Sequence, residues 1–212
     1  MTEENIMWNI KKLGKISYQE AYSYQLSLVE EKILKQVQND KVNENYLLLC
    51  EHPPVFTRGK GSKEANILDK NIPVVMTNRG GDLTYHEPGQ LIGYIILDLK
   101  AQKLSVKAYL DKVENLIINT LARIDIEAGK HPDLVGVWVG DKKIASIGIG
   151  IKKGITMHGF ALNINNNMDG FSCINPCGLS SNIMTSVKAL KGEEISFELI
   201  QDLMIEEFYK IF

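Results

Sequence analysis

A chain of 212 residues, 44% of them apolar and 24% charged, is long enough to bury a hydrophobic core and too evenly composed to be disordered. A net charge of -2 excludes a general nucleic-acid binder, and no apolar run approaches the ~20 residues of a membrane helix. The opening stretch MTEENIMWNIKK has acid and polar groups where a signal peptide is basic and then apolar, so the expectation is one cytoplasmic domain over 1–212.

The first predicted element is a helix in SYQEAYSYQLSLVEEKILKQVQND. Ser17 opens it, Glu20 completes a capping box, and Ala21, Leu28, Val29, Ile33 and Val37 recur at helical spacing. YLLLC, IPVVMT and LIGYIILDL follow, short and bounded by turn formers, and read as strands. A second helix is expected from Ser105, burying Tyr109, Leu110, Val113, Leu116, Ile117 and Leu121. DLVGVWVG, KKIASIGIGI and ITMHGFALNIN are further strands, the first two joined at Gly140-Asp141. A last helix runs from Ser196, with Leu199, Leu203, Phe208 and Ile211 inward. Helices and strands do not alternate as a doubly wound fold requires. The fold class is therefore α+β, a mainly antiparallel or mixed sheet with flanking helices.

Chemistry-bearing residues gather in a few short segments. In KKIASIGIGI, Lys143 shares its parity with Ala145, Ile147, Ile149 and Ile151. Either Lys143 is drawn into the core, where desolvation disfavours its charged form and suits it to proton transfer, or it snorkels to water from the strand end. Gly148 and Gly150, on the other parity, allow close approach to the backbone. RGGDLTYHEPGQ, 79–90, concentrates three glycines, an arginine and a histidine, which again indicates close approach.

Three cysteines make no disulfide framework, and CINPC lacks zinc-site spacing, so no metal is expected. Cys50 reads as a small buried hydrophobe. Cys177, in INPCGLSSN, lies in a turn-rich loop, either an inert thiol or a nucleophile activated by a neighbouring base.

RGGDLTYHEPGQLIGY, KKIASIGIGI, MHGFALNIN and INPCGLS, in that order, resemble the signature blocks of the lipoyl(octanoyl) transferases. These are octanoyl-[acyl-carrier-protein]:protein N-octanoyltransferases. EHPPVFTRG, HPDLVGVWVG and MTSV extend the resemblance over about Cys50 to Val187. It implies a biotin and lipoate protein ligase-like fold, with Lys143 as the catalytic lysine and Cys177 as the nucleophile. The implied reaction moves an octanoyl (or lipoyl) group from an acyl carrier protein thioester to a lysine. The acceptors would be lipoyl domains of 2-oxoacid dehydrogenase complexes or the glycine cleavage H protein.

By the same resemblance the reaction needs neither ATP nor metal, and the protein is a monomer. Substrate would be bound by Arg79, Gly80, Gly81, Asp82, Leu83, Thr84, Tyr85 and His86, by Ser146, Ile147 and Gly148, and by Gly159, Phe160 and Ala161. Amides near Gly148, Gly159, Phe160 and Cys177 are candidates for holding the carbonyl oxygen. His86 and His158 would shape the site by hydrogen bonding.

Arg58 departs from the family pattern, which has an apolar residue there. With Lys60, Lys63, Lys152 and Lys153 it makes either a basic rim for an acidic carrier protein or an ordinary solvated surface. Three other readings compete: an ATP-dependent lipoate or biotin ligase, a lipoyl amidotransferase and a silent acyl-binding module.

Overall fold

The structure, a computed structural model, describes residues 6–38 and 43–212, with every side chain there except those of Ile6, Asn43 and Cys177. In chain order its elements are β1 (Ile6–Lys15), α1 (Tyr18–Val37), β2 (Asn43–Glu51), β3 (Val55–Arg58), β4 (Val74–Met76), β5 (Leu83–His86) and β6 (Gln90–Ile96). There follow α2 (Val106–Ala122), β7 (Gly129–Lys130), β8 (Val137–Val139), β9 (Lys142–Lys152), β10 (Ile155–Asn163), α3 (Val187–Lys191) and α4 (Phe197–Ile211).

Serine starts each long helix. Ser17 Oγ accepts from Glu20 N while Glu20 Oε2 accepts from Ser17 N, both at 3.2 Å. Ser105 caps α2 through Ala108 N, and Ser196 caps α4 through Leu199 N, each at 3.1 Å. Such a cap contributes about 1 kcal/mol by satisfying a donor the helix leaves open. The first predicted helix extended to Asp40, but Asn39 and Asp40 lie outside the described residues.

The seven-stranded sheet has the order β1-β2-β6-β10-β9-β8-β7. β1 and β2 are parallel, joined through α1; every other pair is antiparallel, so the sheet is mixed. Leu47, Leu49, Leu91, Ile95, Phe160 and Leu162 belong to a core shared with α2 and α4. Leu48, Cys50, Ile92, Tyr94, Ile96 and Ala161 belong to a second core, shared with α1. Successive residues alternate between the two, and because both faces are covered, YLLLC and LIGYII read as unbroken apolar runs. A second sheet, β4-β3-β5, packs Leu83 and Tyr85 against Phe171, Ile174 and Met184.

Some expectations change. Val37 is 77% exposed at the end of α1, and Leu199 is 47% exposed because the inward face of α4 runs through Ile200, Leu203, Met204 and Phe208. IPVVMT forms only β4, in the small sheet, and DLVGVWVG contributes only Val137–Val139. β1 was not foreseen. As an edge strand it pairs on one side only and carries exposed lysines, while Trp8 meets Phe208 edge-on with ring centroids 4.7 Å apart. Among the described residues no helix is long and apolar enough to cross a membrane.

Gly93 of β6 pairs with Phe160 of β10, whose ring covers it: a Cβ at Gly93 would lie 2.2 Å from Phe160 Cζ. Gly93→Ala should therefore lose about 1–3 kcal/mol of stability through overpacking, read as a lower urea midpoint. Phe160→Leu in the same chain should recover part of the loss; an unchanged midpoint in the single variant would contradict the contact.

Candidate active site

β6, β10, β9 and β5 supply most of the wall of a cavity of about 50 Å³. Every predicted substrate-binding residue except Gly80 and Tyr85 lines it, and Tyr18, Ile92, Tyr94 and His158 join them. Leu83, Ile92, Ile147, Phe160 and Ala161 make much of the surface apolar.

The glycines of RGGD answer to backbone crowding. Gly81 has φ +80°, and its carbonyl accepts from Gly61 N at 3.0 Å. A Cβ on Gly59 would stand 2.4 Å from that carbonyl oxygen, so the RGKG and RGGD loops touch backbone to backbone. Gly80 is spent on this scaffold: its N donates to Ile149 O at 2.7 Å, which ties the loop to β9. Arg79 is buried, giving Nη2 to Thr57 O and Oγ1 at 2.9 Å and Nη1 to Gly80 O at 3.1 Å. Asp82 accepts from Asn66 Nδ2 and from Leu83 N.

Tyr85 departs from its expected place because strand alternation turns it away from Thr84 and His86. Its ring packs on Phe56 and Phe171, and a Cβ on Gly170 would lie 2.3 Å from it. Tyr85 thus presses the segment before Cys177 onto β5. The 3-10 turn Pro176–Gly178 also lies against β5, and Asn175 N donates to Asn66 O at 2.8 Å. The side chain of Cys177, the predicted nucleophile, lies outside the described residues.

Lys143 does not snorkel. It is 2% exposed, with Nζ donating to Val135 O at 3.0 Å and lying 5.7 Å from the Trp138 ring centroid. Gly136, at φ +136°, leaves room for the lysine stem; a Cβ there would sit 2.5 Å from Lys143 Cε. Lys142, beside it, reaches Asn182 O instead.

A continuous hydrogen-bonded line links Lys143 to His86. Lys143 O accepts from Thr185 N at 3.0 Å, Thr185 O from Asn163 Nδ2 at 2.9 Å, and Asn163 Oδ1 from Gln90 Nε2 at 2.9 Å. Gln90 Oε1 then accepts from His86 Nδ1 at 3.0 Å. Buried amides of this kind remain in a core only when their donors and acceptors are paired.

The histidines are held neutral. Burial first, and the nearby His52 second, bring the His86 pKa down to about 3. Burial, then Arg79, brings His158 down to about 4. His158 also has φ +59°, strained for a side-chain-bearing residue; Gln25 Oε1 accepts from its N at 2.8 Å and Asn78 Oδ1 from its Nε2 at 2.5 Å. His52 donates from Nδ1 to Ile16 O at 2.7 Å, so its Nε2 accepts from Tyr94 Oη at 2.6 Å. Tyr18 stacks on His86 and Tyr22 on His158. The signal for these tyrosines was the spacing of Tyr18, Tyr22 and Gln25 on one face of α1; His52 stood in EHPP without a partner to identify it.

Gly159 and Phe160 lie where β10 is paired on both sides, so their amides serve the sheet rather than a substrate oxygen. Gly148 faces β10 as well, because Ile149 O, next along β9, points the other way to Gly80 N; of the candidates only Cys177 lies outside the strand pairing. Arg58 is drawn into its own loop by Glu64 at 2.8 Å and Ser62 at 2.6 Å, and Lys152 pairs with Glu30 at 3.4 Å; Lys60 and Lys63 stay exposed. Cys50 is fully buried, and burial raises its thiol pKa. Among the described residues no three His, Cys, Asp or Glu side chains converge on a metal position.

Comparison with known proteins places this arrangement. Residues 21–209 match the family model of the lipoyl protein ligase A/B catalytic domain. The octanoyltransferase of Geotalea uraniireducens is 43% identical over 187 residues, 88% of this chain and 85% of that protein. The bipartite lipoate protein ligase of Thermoplasma acidophilum superposes with a TM-score of 0.71 at 15% identity, over 98% of this chain and 84% of that one. The Aquifex aeolicus biotin protein ligase gives 0.54 at 15% identity, over 97% and 69%. The fold is that of the lipoate and biotin protein ligases.

Neutral buried histidines make stability depend on pH. The unfolded chain takes up protons below about pH 6.5, whereas His158 resists to about 4 and His86 to about 3. Their contribution is thus present in full above about 6.5 and lost as pH falls towards those values, at up to roughly 1.4 kcal/mol per pH unit for each. Urea unfolding at pH 7 and pH 5 should show lower stability at pH 5, with a smaller difference in His158→Asn. Equal slopes in the two proteins would count against a neutral buried His158.

Proposed function

The chain belongs to the octanoyltransferases of the lipoyl protein ligase A/B catalytic domain family, acyltransferases of protein lipoylation, and on that premise we propose a cysteine acyl-enzyme route through the cavity. Cys177 Sγ gives its proton to Lys143 and bonds to the acyl carbon of octanoyl-acyl carrier protein. The bond to the phosphopantetheine sulfur breaks, and that sulfur takes the proton from Lys143. In the second half the ε-amino nitrogen of a lipoyl-domain lysine bonds to the acyl carbon. The bond to Cys177 Sγ breaks, and the amine proton returns to that sulfur by way of Lys143. A thioester already carries an activated acyl group, so the route consumes no ATP and requires no metal. Lipoyl domains of 2-oxoacid dehydrogenase complexes or the glycine cleavage H protein are the acceptors.

The observation that carries this reading is the junction at Lys143. Its amine is buried, and its own backbone binds Thr185 N and bridges Met184, where the chain returns from the cysteine-bearing turn. That turn lies against β5, which lines the cavity. A buried base whose backbone binds the chain returning from the cysteine-bearing turn suits acyl transfer between two thiols and an amine. The acyl chain fits the apolar wall made by Leu83, Ile92, Ile147 and Phe160.

Pure protein mixed with octanoyl-acyl carrier protein, without ATP, should gain one octanoyl mass by intact-protein mass spectrometry and lose it when a lipoyl domain is added. Cys177→Ala should form no adduct, and Lys143→Ala should form it at least about 100-fold more slowly. Transfer that survives Cys177→Ala overturns the mechanism; transfer that requires ATP overturns the donor. Lys60 and Lys63, exposed on the loop bonded to RGGD, provide a basic rim for an acidic carrier protein. Charge reversal of both should raise KM for the carrier several-fold at low salt with kcat unchanged, and a salt-insensitive, unaltered KM would remove the rim.

A further inference from the structure

Among the described residues, one ring nitrogen of His86 has no hydrogen-bond partner. The amide of Gln90 is oriented by its two donations, to Tyr85 O at 3.1 Å and to Asn163 Oδ1 at 2.9 Å. Its Oε1 is therefore the acceptor facing His86 Nδ1 at 3.0 Å, and Nδ1 carries the proton. Nε2 is left as a lone-pair acceptor, and among the described residues no donor reaches it. The ring is 8% exposed, stacked on Tyr18 at a 6.3 Å centroid distance and 10°, with the edge of His52 5.9 Å away. His86 lines the cavity and Gln90 does not, and with Nδ1 turned to Gln90 the ring nitrogen left to a cavity ligand is Nε2.

An acceptor in a cavity requires a donor from the ligand. The octanoyl chain has none, and a thioester carbonyl is itself an acceptor. The reactant group that brings N–H bonds to the acyl carbon is the amine of the acceptor lysine. Resting on the acyl-enzyme reading above, we propose that His86 Nε2 accepts a hydrogen bond from that amine and aims its lone pair at the acyl carbon during the second half of the transfer. As the new N–C bond forms, the nitrogen gains positive charge and the hydrogen bond strengthens, so the contact favours the transition state over the ground state. Burial, with His52 second, keeps the imidazole pKa near 3, so His86 holds the amine without taking its proton, which leaves through Lys143.

The test separates the two half-reactions in full-length protein. Adduct formation from octanoyl-acyl carrier protein and discharge of the isolated adduct to a lipoyl domain are each followed by rapid-quench mass spectrometry. His86→Phe keeps an aromatic ring against Tyr18 but removes the acceptor. It should form the adduct within about 3-fold of the wild-type rate and discharge it about 10- to 100-fold more slowly, the loss expected for a hydrogen bond to developing charge. His86→Gln, which restores an acceptor oxygen, should recover much of the discharge rate.

Equal loss in both halves would mark a structural role, and slower adduct formation alone would mark a contact to the donor; either overturns the proposal, as does an unchanged discharge. Should His86→Phe not fold, His86→Met replaces it with an unbranched side chain lacking a strong acceptor. If wild-type transfer runs without an adduct, the acyl-enzyme reading falls. The amine contact is then decided by whether overall transfer is lost in the Phe or Met variant and restored in His86→Gln.

Discussion

The hydrogen bond from Gln90 to Asn163 holds the site together. These residues face each other across β6 and β10, both 1% exposed, and each uses its remaining amide atom to reach outward. Gln90 fixes the tautomer of His86, while Asn163 grips Thr185, whose own N–H holds the backbone of Lys143. Asn166 and Glu87 widen the network: Asn166 Nδ2 donates to Asn163 Oδ1 and to Glu87 Oε1, and Glu87 Oε1 also accepts from Met168 N. A polar cluster at this depth is favourable only when its members are paired, which makes it an all-or-none lock on the loops it joins. Losing the Gln90–Asn163 bond would release a cavity wall and the base's strand together.

Around that lock the architecture places rigidity where chemistry needs it. β10 is paired on both sides through the cavity floor, so Gly159, Phe160 and Ala161 have little freedom. β9 is free of strand partners on its outer edge beyond Ala145, and there the RGGD loop takes over through Gly80 N to Ile149 O. The cysteine-bearing turn is tied instead to the loop after β3, through Asn175 to Asn66, and to β5 of the small sheet, through the Tyr85–Phe171 contact. The predicted base thus sits on the large sheet, while the turn that carries Cys177 lies against β5 of the small one.

The parts legible in sequence were those written in local patterns. Ser17 with Glu20, Ser105 and Ser196 marked helix starts because capping is a contact within four residues. YLLLC and ITMHGFALNIN read as strands because both sheet faces are covered. β1 was missed because an edge strand needs apolar residues on few positions, and VFTR and LTYH because four-residue strands inside turn-rich loops leave no period to detect. The site residues were legible as segments rather than as contacts. Arg79 to His86 fall together at the cavity, yet strand alternation turned Tyr85 away and backbone pairing absorbed Gly80.

By itself the sequence determined the three long helices and the start of each, the buried runs of the sheet, the turn that carries Cys177 and the family to which the motifs belong. Only the tertiary structure decided that Lys143 lies in the core rather than at the surface, because that depends on Gly136, Val135 and Trp138 closing over its stem from another strand and loop. It also decided which nitrogen of His86 is protonated and that Tyr18, Tyr22 and Gln25 of α1 brace histidines more than thirty residues away, as their stacking and hydrogen bonds record. Short-range hydrogen bonding and periodicity are encoded within a few residues. Desolvation, tautomer choice and the closing of a cavity are set by groups distant in the chain, and they exist only once the sheet has brought those groups together.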